Sequence, residues 1–237
     1  MDNKKVALLL CDEHYPEAIE QFGLYRDALF ALFDDTFEAA GAWQCHLGEF
    51  PQTEDELEAD IWLISGSKYS VNDSDEWVAQ LQQLVQKLYS RKKQMLGICF
   101  GHQMLHKALG GSVEQRPDGF AVGLEKVTTD ESSPVAICGE ALLFMHQEEV
   151  TQLADGFSSV GCSEHCRNVV TSDGKGSLSF QCHPEFSVEF FTLLCERVEF
   201  GNKARIVEQC WQGNSQYKKE RRAVIGKLND YLTGEDR

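Results

Sequence analysis

QMLGICFGHQMLHKALGG, residues 94–111, decides how the rest of the chain is read. Its first six residues form a short apolar run, as expected of a strand covered on both faces. From Gln103 the texture turns helical, and it closes on a glycine pair suited to a helix C-cap. Between the two halves lies Gly97-Ile98-Cys99-Phe100-Gly101. A residue joining a strand to a helix must turn sharply to expose its side chain. Glycines two before and two after relieve the crowding, which is the mechanics of a nucleophile elbow. The following helix N-terminus favours a thiolate at Cys99. The backbone N–H of Phe100 lies beside the sulfur, as half of an oxyanion hole would. A buried cysteine in a glycine-rich corner fits the pentapeptide alone equally well.

Outward from that stretch, VALLLC (6–11) and IWLIS (61–65) read as further buried strands. Between them a helical stretch is expected over roughly 17–40, with Phe22, Tyr25, Leu29, Leu32 and Phe33 at helical spacing. A second runs over 73–90, with Asp73 or Ser74 as N-cap candidates and Trp77, Leu81, Leu84, Val85 and Leu88 on one face. Strands alternating with amphipathic helices predict an α/β fold: three layers, with a mainly parallel central sheet. After residue 110 the pieces GGSVEQ, AVGLEKVTT, ALLFMHQ, FSSVGCS, RNVVTSD and SLSFQCH read as short strands. They are expected to be partly antiparallel, extending the sheet or forming a side ribbon. Beyond His183 the chain reads as helices: VEFFTLLCERVEF, then ARIVEQCWQ, then a polar helix over about 215–232. One α/β domain over 1–186 is expected, with 187–237 as a helical extension packed on it.

The 237 residues are 42% apolar and 25% charged, a globular composition that excludes disordered and fibrous classes. No run approaches the roughly 18–20 apolar residues of a membrane span. The net charge of −16 argues against nucleic-acid and anionic-membrane partners. The basic residues concentrated in 203–237 read as a solvated helix face. Nine cysteines form no CxxC pair, which suggests reduced thiols in the cytoplasm. Cys162, His165 and Cys166 lack the second half of a zinc site, so no metal is expected. No GxxxxGK[ST] loop or other glycine-rich nucleotide motif occurs, and no cofactor is expected.

The second chemical signal is SFQCHPEF, residues 179–186. In an extended chain residues i and i+2 point the same way, about 6.5 Å apart. His183 and Glu185 can therefore share a face, and Pro184 restricts His183 to an extended conformation. A carboxylate on one imidazole nitrogen sets the tautomer and leaves the other nitrogen for a thiol. Together the two stretches supply nucleophile, base and orienting acid.

GICFGHQ followed by HPE resembles the class I glutamine amidotransferase family, whose triad is Cys, His and Glu in that order. ISGSKYSVND (64–73), FMHQEEVTQLADGF (144–157) and GCSEHCRNVV (161–170) resemble, in order, its Ser-Gly-Gly loop, its His-x-Asp-x-Val segment and its glutamine-pocket stretch. The resemblance implies a flavodoxin-like three-layer fold. It also implies that Cys99 attacks a γ-glutamyl amide and forms a thioester, with His183 as acid and base and Glu185 holding the imidazole. The positions of Gly66, Ser67 and Phe100 imply an oxyanion hole. Those of Gln103 and the backbone at Cys166–Arg167 imply contacts to the amino-acid end of the substrate. Two departures stand out: Ser67 replaces the loop's second glycine, and Glu148 replaces the aspartate. The implied partner is glutamine or another γ-glutamyl compound, with a separate synthetase subunit or a homodimer as further options. Free-standing proteins similar to the amidotransferase portion of GMP synthase and γ-glutamyl peptidases both share this order of motifs. The alternatives are therefore γ-glutamyl peptide hydrolysis and, from another class, a catalytically weak regulatory subunit.

Overall fold

The short apolar runs become strands because their alternate residues bury on opposite faces of one sheet. The computed structural model describes residues 3–234. Its strands are β1 (Lys4–Leu10), β2 (Phe37–Gln44), β3 (Ile61–Ile64), β4 (Gln94–Ile98), β5 (Ser112–Gln115) and β6 (Ala121–Thr129). They continue as β7 (Cys138–His146), β8 (Glu148–Gln152), β9 (Ser158–Cys162), β10 (Val170–Ser172) and β11 (Leu178–Phe180). The helices are α1 (Pro16–Phe22), α2 (Tyr25–Phe30), α3 (Glu76–Ser90), α4 (Phe100–Ala108), α5 (Val188–Arg197) and α6 (Lys203–Thr233).

Nine strands form one sheet in the order β2-β1-β3-β4-β11-β10-β9-β6-β7, and β5 pairs with β8 as a separate ribbon. The run from β2 to β11 is parallel. The strands from β10 to β7 are antiparallel, so the chain's later half both extends the sheet and supplies the ribbon. Val6, Leu8 and Leu10 face a core shared with α1, α2, α5 and α6. Ala7 and Leu9 face the opposite core, under α3 and α4. These are the three layers of an α/β fold. The C-terminal helices bury Phe191, Tyr217, Val224 and Leu232 in the same core as the first strand. Ser187 caps α5, its hydroxyl accepting from the Phe190 N–H at 3.1 Å.

The structure corrects the sequence reading at several boundaries. The helix expected over 17–40 breaks at Gly23, and residues 37–44 are a strand. That segment, FEAAGAWQ, buries no residue fully, and it is extended because it pairs with β1 at the sheet's edge. Asp75, rather than Ser74 or Asp73, occupies the N-cap of α3. The two helices expected after residue 203 are one, 31 residues long. Gly213 does not interrupt it; a Cβ there would lie 3.2 Å from Leu124 Cδ1, so the glycine lets α6 approach β6. Among the described residues, no helix is long and apolar enough to cross a membrane. Residues 235–237, the end of the expected extension, lie outside the described residues.

Candidate active site

Cys99 stands between β4 and α4 with φ 50° and ψ −102°. That is a costly conformation for a residue with a Cβ. It is held by the Cys99 N–H donating to the Phe180 carbonyl at 2.7 Å. The flanking glycines are sterically required. A Cβ on Gly97 would lie 2.6 Å from the Gly101 carbonyl oxygen, and one on Gly101 would collide with the Ile64 carbonyl of β3.

The end of β11 brings the second stretch to the same place. The His183 N–H donates to the Leu143 carbonyl at 2.8 Å, which ties the segment to β7. Nδ1 of His183 donates to Glu185 Oε1 at 2.7 Å, and its ring stacks on Phe186 at 3.9 Å. A turn closed by the Phe186 N–H donating to the His183 carbonyl at 3.3 Å brings the two side chains together. Burial pulls the imidazole pKa down, but the Glu185 carboxylate and the Cys99 sulfur outweigh it and push it up to about 10. Gln181 lies two residues before His183. Its Nε2 donates to Cys99 Sγ at 3.6 Å and its Oε1 accepts from Gln103 Nε2 at 3.2 Å. Gln181 precedes the turn on the same segment, and the sequence reading assigned it nothing.

Of the three expected oxyanion donors, one is already engaged. The Gly66 N–H, expected to face the oxyanion, here donates to the Tyr25 hydroxyl at 3.2 Å. The Ser67 N–H has no partner among the described residues. Phe100 opens α4, and its N–H has no intrahelical acceptor. Ser67 in place of glycine carries no left-handed strain, since its φ is not positive. Its hydroxyl donates to the Cys11 carbonyl at 2.8 Å. Glu148 is buried and ties down the same loop: Oε2 accepts from the Ser70 hydroxyl at 2.7 Å. Gln103, also buried, donates to the Glu148 carbonyl at 2.8 Å.

A cavity of about 190 Å³ opens at Cys99 and His183. Its lining includes the polar Gln103, His146, Gln147 and Glu148 and the largely apolar Tyr15, Phe120, Phe186, Phe190, Leu194 and Val198. Cys166 and Arg167 are not among the residues lining it. The Cys166 side chain is buried in the core, Arg167 is exposed, and the Arg167 carbonyl accepts from the Ser159 hydroxyl at 2.9 Å. His102 is fully buried, with Nδ1 2.8 Å from the Ser179 hydroxyl. No group of three metal-capable side chains comes together among the described residues.

The long C-terminal helix clasps the His-Pro-Glu turn from behind. Arg221 donates to the Pro184 carbonyl through Nε and to the Glu185 carbonyl through Nη2 at 3.0 Å. The Tyr217 hydroxyl donates to the Phe186 carbonyl at 2.6 Å. These contacts span more than thirty residues, and nothing in the local sequence announces them. Arg221→Met would leave two carbonyls short of a donor, each costing about 1–3 kcal/mol where water cannot reach. At about 2–4 °C per kcal/mol for a chain of this size, Tm is expected to fall by about 4–24 °C. Scanning calorimetry checks this; an unchanged Tm would mean that water replaces the guanidinium.

The family model for glutamine amidotransferase class-I matches residues 41–192. γ-Glutamyl peptidase 5 of Arabidopsis thaliana is 30% identical over 220 residues, covering 86% of this chain and 88% of its own length. γ-Glutamyl peptidase 3 of the same plant is 29% identical over 224 residues, covering 85% and 88%. A glutamine amidotransferase from Methylobacillus flagellatus superposes with a TM-score of 0.72 at 16% identity, over 99% of this chain and 95% of that one. That last likeness concerns the fold alone. The matched residues run from the edge strand through the elbow to the His-Pro-Glu turn, and on this ground the chain belongs to the class I glutamine amidotransferase family.

Proposed function

We propose that this enzyme hydrolyses the amide bond of γ-glutamyl compounds through a Cys99 thioester. The observation that supports it most is the environment of His183. Glu185 sits 2.7 Å from Nδ1, and with Cys99 it keeps the buried imidazole protonated up to about pH 10. In the proposed reaction the sulfur acts as its thiolate beside this imidazolium. The sulfur attacks the γ-carbonyl carbon, and the new oxyanion faces the N–H groups of Ser67 and Phe100. His183 gives its proton to the departing nitrogen as the C–N bond breaks, leaving the thioester and a neutral imidazole. Water then loses a proton to that imidazole and attacks the thioester. Collapse expels the thiolate and glutamate and restores the ion pair. Glu185 holds the ring throughout.

The leaving group is inferred from the cavity's apolar wall. Ammonia needs no such surface, whereas an amine bearing an apolar substituent buries about 0.8 kcal/mol per methylene against it. γ-Glutamyl peptides or amides with bulky leaving amines are therefore the preferred substrates, and the likeness to γ-glutamyl peptidases agrees. The family model favours a second reading, glutamine as donor with ammonia passed to a separate synthetase subunit. One panel separates them. With glutamine, γ-glutamylglycine and γ-glutamylphenylalanine as substrates, kcat/KM for the last is expected to exceed that for glutamine by at least about tenfold. Fastest release of ammonia from glutamine would favour the second reading instead.

A further inference from the structure

We infer that Tyr25 is a positioning residue for the triad, its hydroxyl fixing the Glu185 carboxylate and the Gly66 backbone at one point. The inference rests on the roles proposed above for Cys99, His183 and Glu185. Tyr25 opens α2 and is 4% exposed. Its hydroxyl donates to Glu185 Oε1 at 3.1 Å and accepts from the Gly66 N–H at 3.2 Å. The same Oε1 accepts from His183 Nδ1, while Oε2 is buried with no partner. Two donors converging on one oxygen therefore set the orientation of the carboxylate. Gly66 closes the contact: a Cβ there would lie 3.0 Å from the Tyr25 hydroxyl and 3.1 Å from His183 Cε1.

Tyr25 is itself held firmly. Its N–H donates to Glu13 Oε1 at 2.7 Å, and its ring stacks on His14 at 4.9 Å. Nδ1 of His14 donates to the Gly23 carbonyl at 2.9 Å, and its ring packs against Phe190 at 4.4 Å. Burial and the neighbouring Glu185 carboxylate push the phenol pKa well above its ordinary value, so the hydroxyl keeps its proton for donation. The other titratable groups around Glu185 are Cys182 and His183 on its own segment, Cys99 at the elbow, and Tyr217 and Arg221 on α6. Arg221 reaches only the backbone carbonyl of Glu185, so Tyr25 and His183 are the side chains that donate to its carboxylate. Tyr25 has a second consequence. By taking the Gly66 N–H, it leaves the oxyanion to Ser67 and Phe100.

Tyr25→Phe keeps the ring and removes the hydroxyl. On γ-glutamylphenylalanine, kcat is expected to fall about 10- to 100-fold with KM within about threefold, as expected of a displaced catalytic group. In the free enzyme, the pH profile of Cys99 alkylation by iodoacetamide should shift by about one pH unit. The carboxylate that orients the imidazole has lost one of its two donors. Because alkylation needs no substrate, the shift supports the inference even if the wild-type enzyme hydrolyses no γ-glutamyl compound; that inactivity would sink only the substrate reading. An unmoved alkylation profile overturns the inference, and so does a loss confined to KM, which would make Tyr25 a substrate contact.

Discussion

Cys99→Ala removes hydrolysis of every γ-glutamyl compound the wild-type enzyme accepts, and leaves the fold intact. The account requires a covalent intermediate on that sulfur. Loss of a nucleophile whose partners act as a unit costs on the order of 10⁶-fold in turnover. The structural cost is small. Alanine bears the same Cβ at the same positive φ, so the strain of the elbow is unchanged. The sulfur's contacts are weak, one to Gln181 Nε2 at 3.6 Å and one to the Met145 carbonyl at 3.9 Å. Gln181 keeps its bond from Gln103. Release of glutamate read by coupled assay, beside a circular-dichroism melt, checks both halves. Wild-type turnover in the variant would remove Cys99 from the mechanism.

His183→Asn is expected to lower kcat by about 10²–10⁴-fold, the range of general acid–base help. Asparagine can still donate toward Glu185, but it cannot carry a proton to the leaving nitrogen or take one from water. The imidazole's raised pKa gives a signed pH dependence. With its pKa held above the ordinary value by Glu185 and Cys99, the imidazole is protonated below about pH 10 and loses its charge as pH rises through that value. In the wild-type enzyme kcat/KM should therefore hold through pH 8–9 and decline near 10, and in His183→Asn that alkaline decline should disappear. A wild-type decline centred near pH 6.5, the ordinary histidine value, would contradict the ion pair.

The elbow was legible because its signal is steric and local: Gly97 and Gly101 are where a Cβ would strike backbone. The His183–Glu185 pair was expected from the period of an extended chain, whereas the structure brings the two together through a turn at Pro184 and Glu185, closed by the Phe186 N–H on the His183 carbonyl. What escaped is what long-range contact decides. β2 has no buried alternation of its own and is a strand because β1 lies beside it. Tyr25 reads as one more apolar residue of a helical stripe, yet its hydroxyl meets Glu185 across 160 positions. Gly66 stands where the resemblance put an oxyanion donor, but its N–H is taken by that hydroxyl. The backbone at Cys166–Arg167 was assigned by motif order alone, and it lies between β9 and β10, outside the residues that line the cavity. The C-terminal helices share the core of the first strand and clasp the His-Pro-Glu turn, a role hidden by their polar sequence.

The acyl-enzyme itself is the most direct object to measure. Purified protein mixed with γ-glutamylphenylalanine, quenched in acid within its first turnover and digested, should yield the peptide holding Cys99 with a glutamyl group on sulfur, labile to hydroxylamine. The adduct should be missing in Cys99→Ala. Continued hydrolysis with no adduct on that peptide, or an adduct on another residue that survives the Cys99→Ala change, would contradict the account.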